Sequence, residues 1–251
     1  MLLEDKNAVI HGGGGTIGGA VARAFAREGA HVHLAGRTLA KLEAVADEIR
    51  ATGGRASTAE VDALDERAVD AHADAVAAEA GSIDIAFNLI GVQDVQGTPM
   101  IDMRVEDYLQ PIEVAVRSSF LTWRAAARHM VRAGGGVILA FGGGGDPLRD
   151  YSIGGFQAAL ETVESMRRQL SAELGPRGVR VVTLRTGGVI DSIPADFAGR
   201  EELVAGLEAM TMLGHGALLE DVGRTAAFVA SDHARTMTAA TVNVSCGALV
   251  D

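Results

Sequence analysis

From Asn7 to Val244, short apolar runs alternate with amphipathic stretches of helical length. That alternation constrains the chain more than any other feature. A strand that feeds a helix and then another strand packs well only as a right-handed βαβ unit. A series of such units makes a parallel sheet covered on both faces. The strand-like runs are Asn7 to His11, His31 to Ala35, Ala56 to Val61, Ile83 to Leu89, Gly136 to Phe141, Val179 to Leu184 and Thr241 to Val244. Helices are expected from Thr16 to Glu28, Leu39 to Ala51, Glu66 to Ala80, Ile112 to Arg132 after Pro111, and Gly155 to Leu174 before Gly175-Pro176. The expected architecture is a doubly wound Rossmann fold of the α/β class, with a parallel sheet of about seven strands. Residues 1–251 read as one domain. Within it, Asp191 to Ala217 is the least regular stretch and lies where a substrate lid over the sheet's C-terminal edge belongs.

Composition narrows the partners. Apolar residues make up 48% of the 251 positions, enough for a large buried core. The net charge of -11 repels phosphate backbones, so nucleic acid is not an expected partner. No apolar run approaches the ~18 residues that a membrane span needs. Only six residues precede the first strand, too few for a signal peptide, and one cysteine, Cys246, permits no internal disulfide. A cytoplasmic protein acting on a small molecule is the expectation. The seven histidines offer no metal-ligand spacing beyond His31 and His33 on one sheet face, so no metal is expected.

Between the first strand and first helix stands His11-Gly12-Gly13-Gly14-Gly15-Thr16-Ile17-Gly18. A glycine turn at this point lets the backbone approach a pyrophosphate and aims a helix N-terminus at it. Gly12, Gly15, Thr16, Ile17 and Gly18 are therefore candidate cofactor-binding residues. The second strand ends Leu34-Ala35-Gly36-Arg37-Thr38, without the carboxylate that would hold an unphosphorylated adenosine ribose. Arg37 is suited to a 2′-phosphate. NADP(H) is accordingly favoured over NAD(H).

These motifs, spread from Lys6 to Leu249, resemble those of the short-chain dehydrogenases/reductases. The glycine loop departs from the family pattern at His11 and Thr16. The resemblance implies that Asp62 holds the adenine amino group and that Asn88 and Gly91, at the end of strand four, border the cofactor. It also sets Thr186, Gly187 and Val189 beside the nicotinamide. It implies a homodimer or homotetramer, built through the helices Ile112–Arg132 and Gly155–Leu174.

The family's proton relay is a different matter. A Tyr and a Lys four residues apart, a Ser and an Asn would align with Phe156, Leu160, Gly143 and Ala115. None of these side chains transfers a proton. Register does not rescue the motif, because the only lysines are Lys6 and Lys41 and the only tyrosines are Tyr108 and Tyr151. Tyr151, with Asp146 and Arg149, is the stand-in candidate in the glycine-rich loop after strand five. Three readings stay open: an NAD(P)(H)-dependent oxidoreductase with altered proton delivery, a catalytically silent NADP-binding sensor or partner subunit, and a non-redox isomerase or lyase.

Overall fold

The computed structural model describes residues 1–142 and 152–250. Seven parallel strands form one sheet in the order β3-β2-β1-β4-β5-β6-β7. They are β1 (Asn7–His11), β2 (His31–Gly36), β3 (Arg55–Glu60), β4 (Ile85–Asn88), β5 (Gly136–Phe141), β6 (Val179–Arg185) and β7 (Ala240–Asn243). The helices are α1 (Thr16–Arg27), α2 (Leu39–Ala51), α3 (Glu66–Ala80), α4 (Val105–Ala133), α5 (Gly155–Leu174), α6 (Arg200–Ala209) and α7 (Leu219–Ala230). This is the doubly wound fold that the alternation dictates. The order reverses between β1 and β4, and the crevice beyond the strand ends at that point is where such sheets bind ligands.

Alternation along each strand divides the core in two. Ala8 and Ile10 of β1 face α1, α2 and α7, packing with Val21, Phe25, Leu34 and Val222. Val9 faces the other layer, with Ala35, Val69, Ala73, Trp123 and Met130 of β2, α3 and α4. Successive side chains point to opposite faces, so each central strand supplies both cores. Asp65 starts α3 by accepting hydrogen bonds from the backbone N–H groups of Arg67 and Ala68 at 2.9 and 3.2 Å.

Strand boundaries move from the sequence expectation by one or two residues. The larger correction is α4, which begins at Val105 and runs through Pro111 instead of starting after it. Proline removes one helical hydrogen bond and ordinarily marks a boundary. Here Pro111 is buried against α5, where a Cβ on Gly155 would lie 3.1 Å from the proline ring and 1.8 Å from the Tyr108 carbonyl oxygen. The close packing of the two helices, together with Glu106 and Asp107 in the first turn, keeps the helix intact across the ring. The stretch from Asp191 to Ala217 also holds more order than its sequence suggests. It contains α6 and a 3₁₀ turn at Ile190–Ser192, and Asp191 accepts the Leu219 N–H at 2.8 Å, tying the stretch to the start of α7.

Candidate functional site

The glycine loop is built by contacts that leave no room for side chains. A Cβ on Gly12, whose φ is +81°, would stand 2.4 Å from the Leu89 carbonyl oxygen, and one on Gly18 would stand 2.1 Å from the Gly12 oxygen. The two glycines thus let β1, the end of β4 and α1 close on one another. Gly12 N–H bonds to Ala35 O at 2.8 Å, and Gly15 N–H to Gly12 O at 3.0 Å, which fixes the turn. Gly15 then serves as the N-cap of α1 without any side-chain cap, and the first turn carries no acidic residue. The first N–H groups of α1, at Thr16, Ile17 and Gly18, have no intrahelical partner by construction. A helix end in this condition is a ready anion site.

Beside it opens a cavity of about 360 Å³. Five of the expected cofactor residues line it: Gly12, Gly15, Arg37, Asp62 and Gly91. Gly91 faces open space, with no atom within 4 Å of the place a Cβ would occupy, so this wall can admit a flat group. Arg37 is exposed, and among the described residues neither it nor Lys41 has a side-chain partner. Asp62 accepts the Leu64 N–H at 3.0 Å through one oxygen, which orients the carboxylate at the cavity wall. Free cations, orphan N–H groups and a glycine wall fit the phosphates and ring of a dinucleotide.

Asn88 takes a different place. Its amide donates to Ser118 and Ser119 at 3.0 and 3.2 Å and accepts the Ile90 N–H at 3.1 Å. The side chain thereby clips β4 to α4 and shapes the turn that carries Leu89, Ile90 and Gly91 into the cavity. Thr186, Gly187 and Val189 lie beyond β6, apart from this cavity. A Cβ on Gly187 would come within 2.8 Å of Ala248, and Val189 bridges to Ala217.

Lys41, Gln93, Gln110 and Val114 also line the cavity, although sequence reasoning passed over them. For the last two the missing signal was the true start of α4. Once the helix begins at Val105, Gln110 and Val114 stand one turn apart on one face. Ser118 and Ser119 were equally hidden, because their partner Asn88 is distant in sequence.

On the other side of the crevice several of the described side chains are apolar. Phe156 and Leu160 are half-buried, one turn apart near the start of α5. Leu160 closes on the end of β5, where a Cβ on Gly142 would meet its Cδ2 at 2.6 Å. Met103 packs against Gly154, Leu207 against Gly188 and Met212 against Gly247. Ala115 is half-buried in α4. Gly143, Asp146, Arg149 and Tyr151 lie outside the described residues. Among the described residues no cluster of His, Cys, Asp or Glu could hold a metal ion, and no helix is long and apolar enough to cross a membrane.

On the outer face of α4 and α5 runs a groove of about 720 Å³, lined by Phe120, Trp123, Val131, Met166, Leu170 and Leu174 among others. Phe120 is 52% exposed there.

Known proteins share both sequence and shape with this chain. A family model described as enoyl-(acyl carrier protein) reductase matches residues 14–248. An uncharacterized oxidoreductase of Methylorubrum extorquens is 32% identical over 250 residues, covering 98% of each chain. A D-threitol dehydrogenase of Mycolicibacterium smegmatis is 29% identical, over 98% of this chain and 93% of its own length. The solved structure of a short-chain type dehydrogenase/reductase from Mycobacterium ulcerans superposes with a TM-score of 0.90 at 27% identity, covering 99% of this chain and 91% of that one. A seven-stranded parallel sheet, a glycine cradle at its switch point and relatedness along the whole length lead to one conclusion: the chain belongs to the short-chain dehydrogenase/reductase family.

Proposed function

We propose that the protein is an NADP(H)-dependent oxidoreductase whose cofactor lies in the Gly12–Gly18 cradle with its 2′-phosphate on Arg37. The observation that carries this reading is the pairing of an uncapped α1 N-terminus with the partnerless cations Arg37 and Lys41 around one cavity. Asp62 and Gly91 would border the adenine. Thr186, Gly187 and Val189 would border the nicotinamide, which when bound supplies or accepts a hydride. Residues 191–217 would cover the substrate.

The apolar Phe156 and Leu160 favour a substrate that needs little proton help from this helix. An electron-poor alkene conjugated to a carbonyl meets that condition. Hydride adds to its β-carbon, the carbonyl spreads the resulting negative charge, and water supplies the proton to the α-carbon. An enoyl thioester is such a substrate, and the description of the matching family model names that class. The same two side chains also support a second reading, a silent NADP-binding sensor or partner subunit. The exposed Phe120 and the groove around it support a homodimer or homotetramer closed through α4 and α5.

One experiment separates the two readings. NADPH and NADH binding is followed by fluorescence titration, then NADPH oxidation with enoyl thioesters, ketones and 3-oxoacyl thioesters. Tighter NADPH binding with enoyl turnover supports the enzyme. Tight binding without turnover on any of them supports the silent protein, and equal affinity for the two cofactors defeats the role given to Arg37.

A further inference from the structure

Immediately behind the glycine cradle, three imidazoles are packed into the layer between the sheet and α3. His11, the last residue of β1, is 4% exposed, and neither ring nitrogen has a hydrogen-bond partner among the described residues. The His72 ring of α3 stands edge-on to it, with centroids 5.8 Å apart, and its Nδ1 is buried without a partner. His33 of β2 is 3% exposed. Its Nδ1 meets the Ser57 hydroxyl at 2.8 Å, while its Nε2 is buried and unpartnered. His31 lies against His33 at 4.2 Å between centroids. Beside the apolar core of this face, β1, β2 and α3 thus also meet through rings that an apolar side chain could replace without losing any bond at His11.

The surroundings make this layer intolerant of charge. The charged side chains that act on it are Arg55 of β3 and Glu79 of α3, and both act on His31. From β4 and α4 the polar groups of this region are neutral: Asn88, which pairs in register with His11 and is bonded to Ser118 and Ser119, and the buried Nε1 of Trp123. Farther along the α3–α4 contact, Glu66, Asp70 and Asp74 are committed to Arg124, Arg128 and His129. The histidines interact chiefly with each other, so a proton on one repels the next. They are not a metal ligand set either, since no group of three among the described residues could hold an ion.

We propose that His11, backed by His72 and His33, is a positioning residue for the nucleotide loop, and that acid disengages it: the neutral imidazole layer holds β1, β2 and α3 together behind Gly12, and protonation releases the loop and with it the cofactor. The link to the cofactor rests on the reading of this loop given above. The loop departs directly from this layer: Gly12 follows His11 and donates to Ala35 O of β2, and the His11 carbonyl accepts the Leu89 N–H.

Titration gives the direction. Burial, and then the neighbouring His72, lower His11 from 6.5 to about 3, and burial with His31 and His72 lowers His33 to about 4. Burial lowers His72 as well. Each group is neutral in the fold but takes a proton near pH 6.5 once released. Its contribution is therefore complete above pH 6.5 and is lost as pH falls from there toward 4 and 3. Each such histidine makes opening about tenfold more favourable per pH unit through that window.

The test compares wild type with His11→Leu and His72→Leu between pH 7.5 and 3.5. Urea unfolding, hydrogen exchange of the segments 7–18 and 66–80, and calorimetric titration with NADP⁺ are measured at each pH. In wild type the unfolding equilibrium should shift by a further factor that approaches tenfold per pH unit below 6.5 relative to His11→Leu. Exchange of 7–18 and 66–80, corrected for intrinsic rates, should rise together before the rest of the chain. NADP⁺ affinity should drop severalfold more in wild type than in the variant between pH 5.5 and 3.5, where the buried rings take up protons, a difference in which titration of the ligand's own phosphate cancels. Equal pH slopes in wild type and both variants, or exchange of 7–18 that does not respond to acid, would overturn the proposal. If His11→Leu does not fold, ring NMR of wild type decides: a His11 ring still neutral at pH 5 supports the layer, and one that titrates above pH 6 sinks it. Failure of NADP⁺ to bind at pH 7.5 would defeat the cofactor reading, while the unfolding and exchange measurements still judge the layer.

Discussion

The two sides of the crevice are built to different standards of polarity. On the β1–β3 side, backbone N–H groups, two partnerless cations and one oriented carboxylate surround a defined cavity. On the α5–α6 side, the described positions nearest the strand ends carry Phe156, Leu160, Leu207 and Met212. The first arrangement suits a charged ligand, with groups that water would otherwise solvate. The second can exclude water and shape a pocket, but these four side chains cannot move a proton. The difference teaches that binding and acid–base chemistry are separable in this fold, since they rest on different elements.

The sharpest way to break the comparison is to fill the cradle. Gly18→Ala puts a methyl group 2.1 Å from the Gly12 carbonyl oxygen, with backbone on both sides and no flexible group to yield. We expect a stability loss of about 3 kcal/mol or more, at the upper end for overpacking, and loss of cofactor binding. Gly91→Ala meets nothing within 4 Å and should leave the melting temperature unchanged. Thermal unfolding of the two variants tests whether the glycines serve packing or merely length.

Charging the apolar side should cost somewhat less. Leu160→Lys combined with Phe156→Tyr sets a phenol and an ammonium one turn apart, but the ammonium enters a half-buried site beside Gly142. We expect destabilisation of about 2–3 kcal/mol in urea unfolding, within the range for poorly compensated polar burial. Ketone reduction should remain near background. Turnover on the order of 1 s⁻¹ or above in the wild type would show instead that a proton donor exists elsewhere in the crevice.

Arg37→Ala sharpens the binding side. Removal of one charge-assisted phosphate contact should weaken NADPH by about 2 kcal/mol and leave NADH nearly unchanged, as read by fluorescence titration. The smallest effect belongs to α3, which backs the cavity. Asp65→Ala removes an N-cap with two backbone bonds and should lower stability by about 1 kcal/mol without altering cofactor preference.

Five residues of the cavity wall were legible because their signals are local. The glycine run, Arg37 and Asp62 each sit within a few residues of a strand end, and alternation of apolar runs locates the strand ends themselves. Gln110 and Val114 were not legible, because Pro111 reads as a helix boundary and only the Gly155 contact from α5 shows that α4 passes through it. Asn88 was assigned to the cofactor by position, yet its bonds run to Ser118 and Ser119, thirty residues away. His11 stood out as a departure in the glycine loop, but no pattern along the chain announces that His72 will meet its ring.

The sequence alone determined the succession of the seven strands and the first five helices, the place of the cradle and the absence of a Tyr-x-x-x-Lys pair. Periodicity, turn chemistry and residue identity are properties of neighbouring positions, and they survive without coordinates. Only the tertiary structure decided which glycines are sterically obligatory, which polar side chains are free to meet a ligand and which histidines share a dry layer. Those questions turn on distances between β1, β4, α3, α4 and α5. Such distances are set by how the two cores close on opposite faces of the sheet, through contacts between residues far apart in the chain.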